Sequence, residues 1–341
     1  MTETLEIDIS RLGAYLESNL TGFEDLQQAT KFSDGQSNPT FKLTADSGTY
    51  VLRRKPPGQL LKSAHAVDRE FRVQHALAGS AVPVAQMYHL CDDESIIGSI
   101  FYVMEYVDGR IFWDPQLLEL DVASRTAIYD DMNRVLVAIH SVDIDKTRLD
   151  TFGKPGNYYE RQFDRWVAQY QATETGHVKA MQETIQWLQD HMVEDDGKRS
   201  LVHGDYRLDN LMIHPDSARI SAVMDWELST LGHPYADLAY QCMLWRMPPN
   251  SLLSGLDGVD RGRLGLPSEE EYVDSYCRRA GISSIDNWKF YLVFGFFRLA
   301  AIAQGVKKRA LSGNASSSRA LEVGAMVQPL VEKACEVIYK S

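Results

Sequence analysis

In the run Leu201-Val202-His203-Gly204-Asp205-Tyr206-Arg207-Leu208-Asp209-Asn210, a carboxylate and a carboxamide are separated by four residues. A second carboxylate, Asp225, follows an apolar stretch in Met224-Asp225-Trp226-Glu227. Phosphoryl transfer needs such a set: one carboxylate to orient an attacking hydroxyl and take its proton, and oxygen ligands to hold magnesium on the β- and γ-phosphates. Asp205, Asn210 and Asp225 are of the right types. Any one of them alone would read as a polar residue of a turn or surface loop, so the order and spacing carry the signal.

The spacing resembles that of protein kinases, where Asp-x-x-x-x-Asn puts the base and one magnesium ligand on a single loop and a second metal-binding Asp follows a short hairpin. The resemblance implies ATP as phosphoryl donor, Asp205 as catalytic base, and Asn210 and Asp225 as magnesium (Mg2+) ligands. Asp225 opens Asp-Trp-Glu where protein kinases have Asp-Phe-Gly. Arg207 occupies the position at which kinase loops put a lysine near the transferred phosphate, and is the implied charge-stabilising group.

The His-Gly-Asp form of the loop is similar to that of the aminoglycoside phosphotransferases and their relatives, the choline, fructosamine and methylthioribose kinases. The similarity continues through Leu231-Gly232-His233-Pro234-Tyr235-Ala236-Asp237-Leu238-Ala239 and covers most of the chain from about Phe32 onward. It implies an Asp237 that braces the loop and a His203 with a structural role. His140, on an apolar helix face, reads as a satisfied core histidine.

Upstream elements must position the nucleotide. Phe41–Leu43 and Tyr50–Arg53 predict a hairpin around Ala45-Asp46-Ser47-Gly48, Ser63–Leu77 a helix, and Ile100–Tyr106 a strand. By the kinase resemblance, Arg53 stands where a strand lysine normally pairs with the phosphates, and Glu70 suits its helical partner. Arginine can hold phosphate oxygens bidentately, but its bulk leaves Arg54 and Lys55 as rivals. The segment Phe32–Asn38, with Ser33, Gly35 and Ser37, is expected to turn over the phosphates, and it reads equally as an exposed turn between strands. Met104-Glu105-Tyr106-Val107 resembles a hinge, with adenine meeting the backbone at Glu105 and Val107.

Helical patterns cover Val122–His140, Tyr158–Met192 and much of the chain from Asp237 to about residue 335, with short strand-like runs at Leu201-Val202, Leu211–Ile213 and Ile220–Met224. The polar break Val107-Asp108-Gly109-Arg110 sets the expected boundary between an N-terminal nucleotide-binding lobe (1–107) and a C-terminal catalytic and acceptor-binding lobe (108–341). The expected architecture is α+β, a bilobal protein-kinase-like fold with a small N-terminal β-sheet lobe and a larger, mainly helical C-terminal lobe.

The formal net charge of −12 disfavours nucleic-acid or anionic-membrane partners, which need a basic face. Cys91, Cys242, Cys277 and Cys335 lie far apart with no metal-site spacing, as suits a reducing compartment. The acidic N-terminus lacks signal-peptide order, and the apolar stretch Phe290–Phe297 stops at Arg298, well short of the ~20 residues that span a bilayer. A cytoplasmic protein is expected.

The absence of a protein-kinase Ala-Pro-Glu ending after Asp225 argues against peptide substrates and for a small hydroxylated molecule. The stretches Gly35–Thr40, Val51–Gly58 and Asp225–Gly232 resemble the kinase domains fused to, or found beside, acyl-CoA dehydrogenases, which implies hydroxyacyl-CoA acceptors. A CoA thioester needs basic groups, and Arg298, Lys307 and Arg309 in the C-terminal helices are candidates; the Lys307–Arg309 cluster reads equally as a solvated helix end. Acidic net charge favours instead a cationic aminoglycoside or amino-alcohol, and the arginine at position 53 leaves a nucleotide-binding pseudokinase as a further alternative.

Overall fold

The structure is a computed structural model and describes residues 7–32, 38–56, 66–313 and 319–340. By its internal contacts the chain divides into two units: Met1–Gly109 with Ser221–Ser229, and Arg110–Ile220 with Thr230–Ser341.

In the first unit, helix α1 (Ile9–Asn19) begins where the Asp8 carboxylate accepts from Arg11 N and so satisfies one orphan amide. Strands β1 (Leu26–Lys31), β2 (Thr40–Ala45), β3 (Gly48–Arg54), β4 (Met87–Cys91) and β5 (Phe101–Glu105) form one antiparallel sheet in the order β1-β2-β3-β5-β4, with helix α2 (Val67–Ala76) between β3 and β4 in sequence. Ala45 pairs with Gly48, so the predicted hairpin closes on Asp46-Ser47. Leu12 and Leu16 of α1 bury with Phe41, Leu43, Leu52, Phe101 and Val103 of the sheet, while Val67 of α2 buries with Met87 and Tyr102.

The second unit contains α3 (Val122–His140), α4 (Tyr158–Thr173), α5 (Lys179–Asp190), β6 (Ser200–Val202) and β7 (Leu211–Ile213). Strand β8 (Ile220–Val223) straddles the division, and β9 (Thr230–Gly232), α6 (Tyr235–Trp245), α7 (Arg261–Leu264), α8 (Glu269–Ala280), α9 (Trp288–Leu311), α10 (Ala320–Ala325) and α11 (Val327–Tyr339) complete the chain. Strand β6 pairs antiparallel with β9, Ser200 opposite Gly232. Helix α9 is long and apolar enough to cross a membrane, yet 78% of its most apolar window is buried in the protein, as in a core helix.

Three readings from the sequence change. The segment Ser221–Ser229 joins the first unit instead of residues 108–341: Val223 N donates to Pro83 O at 2.9 Å, and Arg69 Nη2 to Ser229 O at 3.3 Å. The helical stretch from Tyr158 breaks into α4 and α5 around Gly176. Finally, β1 and β4 are strands that the hydrophobic pattern did not announce.

Candidate active site

In the first unit, β3 puts Arg53 and Arg54 on opposite faces, as strand pleating requires. Arg54 is buried and donates from Nε to Ser99 Oγ at 3.0 Å. Arg53 instead enters an acidic cluster, with Nε 2.8 Å from Glu70 Oε2, Nη2 2.9 Å from Asp225 Oδ1 and 3.9 Å from Glu227 Oε2. The Nε–H is not aligned for a hydrogen bond despite its distance, so that contact is an ion pair. Lys55 joins no ion pair among the described residues; its N–H donates to Ile100 O.

Glu70, 1% exposed, also accepts from Asn38 Nδ2 at 2.7 Å and Tyr102 OH at 3.1 Å. Burial pushes its carboxyl up to about 7, against the pull of the Arg53 guanidinium. Burial opposes the charge of Arg53, but the carboxylates of Glu70, Asp225 and Glu227 outweigh it and hold the guanidinium above its ordinary range. Asp225 has φ +58°, ψ +62°, the left-handed region that Asp tolerates better than most residues, and starts the turn Trp226–Leu228.

Glu105 ends β5 opposite Tyr50. Its carboxylate accepts from Gln86 N at 3.0 Å, while Val107 N–H has no backbone acceptor among the described residues. Ser33, Gly35 and Ser37 lie outside the described residues.

In the second unit, β6 delivers His203-Gly204-Asp205. Asp237, fully buried in the first turn of α6, accepts from His203 N at 2.6 Å and Gly204 N at 2.7 Å, and His140 Nε2 lies 3.4 Å from its Oδ2. Burial would raise its carboxyl, but His140, His203 and the Gly204 amide together hold it below its usual value. Gly204 has φ +85°, which a residue with Cβ rarely adopts. Its carbonyl accepts from Arg298 Nη2 at 2.8 Å.

Asn210 Nδ2 donates to both the backbone O (2.8 Å) and Oδ2 (2.9 Å) of Asp205. This leaves Asn210 Oδ1 without a donor among the described residues. Arg207 pairs with Asp209; burial works against its charge, and Asp205 and Asp209 more than restore it. No cluster of three or more His, Cys, Asp or Glu able to cage a metal occurs among the described residues. A magnesium ion bridged by nucleotide phosphates needs only one or two protein oxygens, and Asn210 Oδ1 and the Asp225 carboxylate are hard donors of that kind.

A model of the phosphotransferase enzyme family APH matches residues 28–283. The chain belongs to the APH phosphotransferase family. Mouse acyl-CoA dehydrogenase family member 10 is 48% identical over 99% of the chain and 32% of its own length, and human acyl-CoA dehydrogenase family member 11 is 43% identical over 96% and 42%. The chain thus spans about a third to two-fifths of the curated relatives it matches. A Ralstonia eutropha protein described as an aminoglycoside phosphotransferase superimposes with a TM-score of 0.90 at 47% identity, covering 98% of this chain and 99% of that one. The aminoglycoside phosphotransferase APH(4)-Ia, crystallised with ADP and hygromycin B, shares the kinase-like fold at a TM-score of 0.63 and 15% identity, covering 97% and 99%.

In this APH-family chain the three basic residues of the C-terminal helices separate. Arg298, 9% exposed, is held between the rings of Trp166 and Tyr240, its guanidinium carbon 6.0 and 5.5 Å from their centroids, and its hydrogen bond serves the Gly204 carbonyl. Lys307 packs its stem against Gly324 of α10, and Arg309 is exposed near the end of α9. Sequence reasoning placed Arg298 with acceptor contacts because it could not see the loop 94 residues away. Tyr240 was missed as well: it is buried, and burial together with the nearby Asp205 carboxylate pushes its hydroxyl above the ordinary range. Its place one helical turn after Asp237 was the available signal.

Proposed function

We propose that this chain is an ATP- and magnesium-dependent kinase that phosphorylates a hydroxyl of a small molecule, with Asp205 orienting the hydroxyl and accepting its proton. The observation that supports this most directly is the Asp205–Asn210 arrangement: one amide nitrogen holds both the backbone and the carboxylate of Asp205, while the amide oxygen is left for a cation. Arg207 would offset negative charge on the transferred group. Asn210 Oδ1 and Asp225 would hold the magnesium, which supplies neutralisation of phosphate charge. Arg53 and Glu70 would serve the nucleotide phosphates, and Glu105 and Val107 the adenine edge. A pseudokinase would be expected to lack one of these groups, and Asp205, Asn210 and Asp225 are all present.

Hydroxyacyl-CoA thioesters are the acceptors we favour, because relatives 41–48% identical across nearly the whole chain carry acyl-CoA dehydrogenase names. An aminoglycoside or amino-alcohol acceptor is the second reading, supported by the net charge of −12 and the Ralstonia protein's description. Lys307 and Arg309 remain candidate acceptor contacts. Four unpaired cysteines support action in a reducing cytoplasm.

The test is ADP release and product mass spectrometry with ATP and magnesium, using 3- and 4-hydroxyacyl-CoAs beside kanamycin-type antibiotics and choline. Hydroxyacyl-CoA turnover is expected, and D205N should lower kcat by about 100-fold or more while nucleotide still raises the melting temperature. Turnover of amino-alcohols alone would reject the acceptor. Near-normal kcat in D205N would reject the base.

A further inference from the structure

We propose that the second unit carries an additional site, for a phosphate-bearing anion, at the start of α4. A cavity of about 210 Å3 opens there between residues 154–161, 194–199 and 231–233. None of the residues assigned above to base, nucleotide or metal lines it.

Its walls are unusual for so acidic a chain. Lys154, Arg161, Lys198 and Arg199 line the cavity against two carboxylates, Glu194 and Asp195, although the formal net charge is −12. The two arginines are anchored through one nitrogen each. Arg161 Nη1 donates to the carbonyls of Pro155 at 2.7 Å and Gly156 at 2.6 Å, and Arg199 Nη2 to that of Asp150 at 2.6 Å. Their other N–H groups have no acceptor among the described residues, and neither has the Lys154 ammonium. Lys198 is paired with Asp196. The positive end of the 16-residue helix α4, where Asn157 Oδ1 caps Tyr159 N at 3.0 Å, adds to the field.

Forked guanidinium groups and an ammonium presented from separate segments suit the several oxygens of a phosphoryl group better than the two coplanar oxygens of a carboxylate.

The experiment titrates the full chain, saturated with a non-hydrolysable ATP analogue so that the nucleotide site is filled, with inorganic phosphate, pyrophosphate and adenosine 3′-phosphate. Calorimetry and melting temperature are the readouts, and sodium chloride at matched ionic strength is the control. Phosphate-bearing ligands should bind and raise the melting temperature where chloride does not. Tighter binding of the adenosine ester than of inorganic phosphate would identify an organic phosphate as the ligand, and the reverse order a free anion. K154A/R199A should weaken binding about tenfold or more. R161K should weaken binding several-fold as well. Stabilisation equal to that by chloride, or binding indifferent to both variants, would overturn the proposal.

Discussion

Asp205 and Asp225 are both carboxylates at the head of short turns, but the two units hold them by different means. The loop bearing Asp205 is gripped by its own backbone: Asp237 takes the His203 and Gly204 amides, Arg298 the Gly204 carbonyl, and Asn210 the Asp205 carbonyl. Apart from Asn210, those gripping side chains are nearly or fully buried. Asp225 is held at its side chain by one guanidinium, which also faces Glu70 and Glu227, and its own side chain is 34% exposed. Backbone anchoring in a dry setting fixes geometry before any ligand arrives. A partly exposed ion pair shared among three carboxylates is weaker and can re-partition. The difference suits the roles proposed for them: a preorganised base in Asp205, and in Asp225 a metal ligand able to change partners.

The sharpest way to break the comparison is D237N, which removes a fully buried charged acceptor. It should cost about 3–5 kcal/mol of unfolding free energy in urea titration. The carboxyl of Asp237 lies below its ordinary value in the folded protein, so its contribution is present above the unfolded-state value of about 4 and is lost as pH falls through and below it. The gap between wild type and D237N should therefore narrow below about pH 4; a gap constant with pH would contradict a charged Asp237.

R298M comes next. Leaving the Gly204 carbonyl unmet should cost about 1–3 kcal/mol and lower phosphoryl-transfer kcat roughly tenfold with little change in nucleotide affinity; R298K should recover part of both. Unchanged kcat in a folded R298M would mean that Asp237 and Asn210 set the loop without Arg298. The smallest effect is expected for E227Q: its carboxylate is 3.9 Å from Arg53 Nη2 and 24% exposed, so stability should shift by no more than about 0.5 kcal/mol. A loss several times larger would show that the acidic cluster around Arg53 is as rigid as the Asp205 loop.

Much of the scaffold was legible where local signals were strong. The β2–β3 hairpin follows from alternation about a polar turn, and α3 spans Val122–His140 as its apolar spacing predicts. Strand β1 was not legible, because an edge strand with one buried residue, Leu26, has no alternation to read. Nor did the sequence show that Ser221–Ser229 joins the first unit, since that depends on Pro83 and Arg69, which lie more than a hundred residues away.

What the sequence determined alone is the short-range chemistry: Asp205 and Asn210 are five positions apart, so a single turn of chain suffices to bring the amide onto the carboxylate. It also determined the family, through the ordered His-Gly-Asp, Asn and Asp-Trp-Glu signals. Only the tertiary structure decided which basic residue serves which group. Arg53 and Arg54 are adjacent and chemically identical, and it is the packing of α2 against one face of the sheet that gives Arg53 to Glu70 while Arg54 goes to Ser99. Arg298 could have met an acceptor or a loop, and the burial of α9 beside α4 and α6 set its guanidinium against Gly204. Spacing along the chain fixes neighbours within a turn or two, whereas partners between elements follow from which faces pack together, and no single-segment pattern encodes that.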